Sequence, residues 1–233
     1  MPRVTTSPKH GAAAKRSLAG GAAAIWLASG VGYLILEGVA AAGFRYHYNY
    51  AHNYISDLGV TSRGTFQGRT IDSPLAYLMN SAFYLQGTSF LIGALLVVRA
   101  TESRKAGLFL VLASANAVGN VLVGAVHSGP MAKVDGTAWL HHLGATLAIG
   151  GGNIAIFAGS AIVRNMGAGQ RYRRISVGIG VLGLLSSMML VIYSTAGATS
   201  LVPEGVWERG SVYSIIAWQM CTAAYFMRFA LRR

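Results

Sequence analysis

Residues Leu18–Phe44, "LAGGAAAIWLASGVGYLILEGVAAAGF", form an apolar run interrupted by one charged side chain, Glu37. A helix rises about 1.5 Å per residue, and roughly 20 apolar residues suffice to cross the hydrocarbon core of a bilayer. The run is therefore read as a membrane span. Lys15 and Arg16 before it and Ala40–Ala42 at its end mimic a signal peptide. Its apolar length exceeds the usual signal core of about 7–15 residues, and it carries Glu37, so it is read as uncleaved.

Five further runs have the same character: Pro74–Val98, Ala106–Ser128, Ala138–Val163, Ile175–Thr195 and Ser211–Ala230. The chain is 53% hydrophobic and 11% charged, and its 30 glycines lie largely inside the apolar runs. A soluble domain carries about 25% charged residues. The runs are too long, and alternate too little, for transmembrane β-strands. The expected fold is an all-α polytopic bundle of six transmembrane helices. It comprises a basic tail at 1–17, a membrane domain at 18–230 and a short end at 231–233. The connection 45–73 is expected to fold as a lid over the outer mouth of the bundle.

The formal charge of +12 first suggests nucleic acid, but its distribution excludes that partner. Fourteen of the 19 basic residues fall on one side of a six-span topology: the N-terminal tail, the second and fourth connections, and the C-terminal end. The positive-inside rule then places both termini in the cytoplasm. The opposite side holds Arg45, Arg63, Arg69, Lys133 and Arg209, together with most of the acidic residues. Cys221 is the single cysteine, so an intrachain disulfide and a cysteine metal knuckle are both excluded.

The first span leads directly into "RYHYNYAHNYISDLG", Arg45–Gly59. Tyrosines collect at membrane interfaces because their rings are amphipathic, which accounts for Tyr46, Tyr48 and Tyr50. An aromatic belt does not account for Asn53, Ser56 and Asp57. The third run ends at His127-Ser128, and the fourth begins with His141-His142 at the same outer level. Below this layer, Glu37, Asn80 and Asn120 each sit roughly 10 Å inside the outer boundary by the helical rise. Buried ionisable groups in a membrane usually face a cavity or a partner.

The expected site is a polar pocket open to the outer leaflet. Its rim would be Asp57, Asp72, His127 and His141, and its floor Glu37, Asn80 and Asn120. His127, His141 and Asp57 are candidate ligands of zinc, which in catalytic sites takes three protein ligands and leaves one position for water. Water activated there could attack a lipid ester, amide or phosphoester. A metal-free alternative uses Ser56, Ser73 or Ser128 as nucleophile with a histidine base. Arg63 and Arg69 are candidate contacts for an anionic headgroup. A haem would need a second histidine pair near the inner side, which the sequence lacks. A transport pathway would need ionisable residues in the inner halves, which carry few.

"NYISDLG" (Asn53–Gly59), "SPLAYLMNSAF" (Ser73–Phe83), His127 and "HHLGA" (His141–Ala145), taken in order, resemble the domain of unknown function 998 (DUF998) family. The resemblance covers roughly Trp26 to Arg228. It implies a six-span protein of a bacterial or archaeal plasma membrane, and it supplies no reaction. "YISDLG" is also similar to a segment of the FRAG/DRAM membrane proteins, some of which remodel lipid anchors. The Ser, Asp and His composition is similar to that of the membrane zinc hydrolases of the alkaline-ceramidase and adiponectin-receptor superfamily. Those have seven spans and a His-x-x-x-His on the last, which this chain lacks. Two functions are therefore carried forward. One is a lipid-modifying hydrolase or transferase acting through Ser56, Asp57, His127 and His141. The other is a non-catalytic protein that binds a membrane lipid or amphiphile.

Overall fold

The computed structural model describes residues 8–101, 103, 106–196 and 201–231. Arg3, Glu102, Arg104, Lys105, Arg232 and Arg233, all counted in the charge asymmetry, lie outside the described residues.

The architecture is an all-α bundle. Six long helices are α1 (Pro8–Ala42), α2 (Ala76–Thr101), α3 (Ala106–Ala125), α5 (Ala138–Val163), α6 (Gln170–Ala196) and α7 (Glu204–Leu231). A short helix, α4 (Pro130–Val134), lies in the connection between α3 and α5. The long helices form a ring in which α1, α2, α3, α5, α6 and α7 each pack against the next, and α7 closes back onto α1. Gly11–Ala42 of α1, α2, α3, α5 and Gln170–Thr195 of α6 are long and apolar enough to cross a membrane. The sixth long helix, α7, is less apolar, with Ser211, Ser214, Gln219 and Thr222 on its buried face.

In lipid there is little hydrophobic drive between helices, so close van der Waals packing holds them together. Small residues make that possible between α3 and α5. A Cβ on Gly144 would lie 2.8 Å from Leu122 Cβ and 3.1 Å from the Gly119 carbonyl oxygen. The two helices therefore meet backbone to backbone. At one end of the ring the core is aromatic: Trp26, Phe90, Phe109, Trp218 and Phe226 are buried together. Trp26 and Trp218 have ring centroids 5.4 Å apart.

The other end is closed by the 45–73 connection, whose internal structure was not foreseen. Ser56–Gly59 form a 3-10 turn. Strands β1 (Gly64–Phe66) and β2 (Arg69–Ile71) pair antiparallel, with Gly64 opposite Ile71 and Phe66 opposite Arg69. Ile55, Leu58, Val60, Phe66 and Ile71 are buried in one cluster with Tyr33, Met79, Phe83 and Ile216. The connection is thus seated on the helices by its own apolar side chains. Tyr46 and His47 hold φ of 65° and 60°, a left-handed conformation that costs non-glycine residues energy.

Candidate functional site

The polar residues near the connection divide into four groups, each built by different elements.

The deepest is centred on Arg209, in the first turns of α7. Its Nη1 donates to three carbonyl oxygens: Tyr50 at 2.6 Å, Asn53 at 2.8 Å and Gly205 at 3.1 Å. Its Nη2 lies 3.4 Å from Glu37 Oε1 and also donates to the Tyr48 hydroxyl. Tyr213, one turn further along α7, places its hydroxyl 3.0 and 2.9 Å from the two Glu37 oxygens. The guanidinium also lies over the Tyr50 ring, 4.8 Å from its centroid. Glu37 is 1% exposed and Arg209 8%, so this is a buried ion pair. Burial also pushes the Tyr48 hydroxyl pKa up. Neighbouring Glu208 accepts a hydrogen bond from the Ile55 amide, and Glu204 accepts one from the Tyr54 hydroxyl. Helix α7 therefore grips the connection through two consecutive turns of side chains, Glu204 and then Glu208 with Arg209, and reaches α1 through Tyr213.

The second group surrounds Asp57, which is 1% exposed. Its carboxylate accepts from Asn53 Nδ2 at 3.1 Å and the Tyr54 amide at 3.0 Å. Arg69 completes the set with a forked contact, Nε at 2.9 Å and Nη2 at 3.4 Å. The Arg69 guanidinium also stacks on Tyr54, 4.2 Å from the ring centroid. The same carboxylate thus closes the 3-10 turn and ties the hairpin to it.

The third group is Asp72 with Arg63 at 3.3 Å and Arg45 at 3.8 Å. Asp72 is buried, whereas the two arginine side chains are 62% and 65% exposed. Arg63 also donates to the Tyr46 hydroxyl.

The fourth joins α2 to the turn after α3. Asn80 Nδ2 donates to the Gly59 carbonyl at 3.0 Å and lies 2.9 Å from His127 Nε2. That nitrogen is also 3.2 Å from the Gly124 carbonyl, and Nδ1 is 3.4 Å from the Thr61 hydroxyl. Burial pushes the His127 pKa below its usual value, opposed by the Gly124 contact. In the neutral ring Nε2 either accepts from Asn80 or donates to the Gly124 carbonyl, according to the tautomer.

The sequence-predicted residues are therefore distributed among separate contacts. Glu37 pairs with Arg209 and Tyr213. Asn80 joins His127, and Asn120 donates to the Asn116 carbonyl at 2.9 Å within α3. His141 is buried, with Nδ1 2.7 Å from the Val126 carbonyl. Ser73 donates to the Leu58 carbonyl at 2.7 Å. Ser56 opens the 3-10 turn and is half-buried, as is Ser128. Arg69 is committed to Asp57, while Arg63 remains at the surface.

Among the described residues, no three His, Cys, Asp or Glu side chains are grouped so as to hold a metal ion. The donor set nominated for zinc does not form such a group: Asp57 is engaged by Arg69, and His141 Nδ1 by a carbonyl. The residues that sequence reasoning undervalued are Glu208, Arg209 and Tyr213. Their signal was present, since Arg209 and Tyr213 are spaced i, i+4 on one helix face where the last apolar run begins.

Compared with known families, residues 26–225 match the one described as "Protein of unknown function (DUF998)". The shorter FRAG/DRAM likeness gains no support from this match. No curated protein and no solved structure matches the chain.

Proposed function

The chain belongs to the DUF998 family, and from that premise we propose that it is a non-catalytic lipid-binding or accessory protein of a prokaryotic plasma membrane. In this reading Ser211–Ala230 of α7 is the sixth span, both termini are cytoplasmic, and the 45–73 cap presents an anionic-headgroup surface at the outer leaflet. One observation carries it. Arg45 and Arg63, 65% and 62% exposed, flank the single buried carboxylate of Asp72. Two guanidinium groups against one carboxylate leave a net positive charge facing outward. Tyr46 and Tyr50, 59% and 46% exposed, stand on the same connection, where amphipathic rings suit the headgroup level.

The hydrolase reading requires more rearrangement. Asp57 would have to leave Arg69, Asn53 and the Tyr54 amide before acting on a substrate or metal. A carboxylate so fully bonded serves the fold of the cap.

The test is binding of the detergent-purified protein to vesicles of phosphatidylglycerol against phosphatidylcholine. The expected result is a preference for the anionic lipid that falls at high salt, since exposed charges are screened. The Arg45→Gln/Arg63→Gln/Asp72→Asn variant, which strands no buried carboxylate, should lose the preference while staying folded. An unchanged preference in that variant refutes the assignment.

A further inference from the structure

Within the buried cluster formed by α1, α7 and the cap, charges and partners do not balance. Glu37 from α1 and Glu208 from α7 are 1% and 9% exposed. Both lie close to Arg209, also from α7, which is 8% exposed. The other charged groups facing the cluster are already accounted for. Asp57 of the cap is closed by Arg69. Glu204, at the start of α7, accepts from Tyr54. Tyr33, Tyr48 and Tyr213 are neutral phenols. Two carboxylates against one guanidinium leave one negative charge in a setting where an unpaired charge is costly.

The hydrogen bonds distinguish the two carboxylates. Glu37 faces both the Arg209 guanidinium and the Tyr213 hydroxyl, donors that favour its ionised form. Glu208 accepts one donor, the Ile55 backbone amide; that bond and the nearby Arg209 charge also favour the ionised form, and burial outweighs both. We propose that the Glu37–Arg209–Glu208 cluster is a binding site for one exchangeable proton, carried on Glu208. Glu208 precedes the apolar stretch of α7 that begins at Ser211, and its burial pushes its pKa up to about 7.

The proton links pH to the seating of the cap. With Glu208 protonated the cluster is neutral, and residues 53–55 rest on α7. The folded pKa lies above the ordinary value of 4.5, so the stabilisation is complete below 4.5 and is lost as pH rises through about 7. Deprotonation leaves a net negative charge under Ile55, the residue whose amide Glu208 holds.

The test is infrared spectroscopy of the full chain in lipid nanodiscs, following the carbonyl stretch of a protonated carboxyl. Hydrogen exchange of the segment containing Ile55 is measured on the same samples. The parent should show a band that disappears with a midpoint near pH 7. Glu208→Gln should lack that band, and its segment should stay protected independently of pH. Glu37→Gln should also lack it, because Glu208 then becomes the only counter-charge to Arg209 and ionises; that cluster is neutral at every pH, so its segment should lose its pH dependence as well. Three results overturn the proposal. The parent shows no titrating band between about pH 5 and pH 9. The band survives in Glu208→Gln. Or exchange of the segment in Glu208→Gln still rises through about pH 7, which would place the pH dependence outside this cluster.

Discussion

Replacing Arg209 with Met tests whether α7 holds the cap. The side chain is 8% exposed, so the substitution removes a buried cation and leaves Glu37, 1% exposed, without its counter-charge. Removing one partner of a buried pair costs about 3–5 kcal/mol, because the other charge is stranded. The three carbonyl acceptors at Tyr50, Asn53 and Gly205 also lose their donor. Hydrogen bonds from a charged donor are worth about 1.5–3 kcal/mol, so these losses add to that of the stranded carboxylate. Glu37→Gln is milder, at about 1–3 kcal/mol, because Gln can still accept from Tyr213. The double variant Glu37→Gln/Arg209→Met should be more stable than the sum of the singles predicts, by about 1 kcal/mol or more. The assay is reversible unfolding in mixed micelles with increasing SDS, read by tryptophan fluorescence, with proteolysis of the 45–73 segment in parallel. Arg209→Met within about 0.5 kcal/mol of the parent would refute the clamp, since that is the range of surface substitutions away from structural features.

The remaining predictions concern the other three sets of contacts. Asp57→Asn should weaken the forked Arg69 contact and destabilise the cap by about 2–4 kcal/mol, seen as faster hydrogen exchange across residues 53–60; unchanged exchange would contradict a structural role for Asp57. His127 has its pKa depressed below 6.5, so its contribution to stability is fully present above pH 6.5 and is lost as pH falls below it. Against the parent, His127→Gln should therefore lose less stability between pH 6.5 and lower pH, and an identical pH dependence in both proteins would disprove the assignment. Gly144→Val would drive a side chain into Leu122 and the Gly119 carbonyl, and should separate α3 from α5 at a cost above about 3 kcal/mol; near-parental stability would show that the helices are not in backbone contact. Gln86 and Gln219, fully buried and hydrogen-bonded between α2 and α7, each retain one amide atom without a partner. Gln86→Leu should destabilise by about 1–3 kcal/mol, and adding Gln219→Leu should recover most of it, since removing both partners strands nothing; a second equal loss would argue against the pairing.

The helical class followed from the apolar runs, because a span must satisfy its backbone hydrogen bonds within itself and therefore shows as length and composition. The runs located the long helices to within a few residues at most ends. At others the helix runs beyond the apolar run, where polar residues continue it. α7 begins at Glu204 instead of Ser211, and α6 at Gln170 instead of Ile175, because charged first turns are compatible with helix and invisible to hydropathy. The hairpin Gly64–Ile71 and the short helix Pro130–Val134 left too weak a periodic signal to be read.

Which polar residues are buried was also legible in part. Glu37, Asn53, Asp57, Asn80 and His127 stood out by depth or spacing, and all are buried or half-buried with specific partners. Their partners were not legible. Glu37 was expected among Asn80 and Asn120, yet its counter-charge comes from Arg209, 172 positions along the chain. Depth along a helix is a one-dimensional quantity that each apolar run carries by itself. Pairing depends on which helices are neighbours and which faces they turn inward. Here the closure of the ring by α7 against α1 decides it, bringing an arginine from the last helix beneath the cap that follows the first.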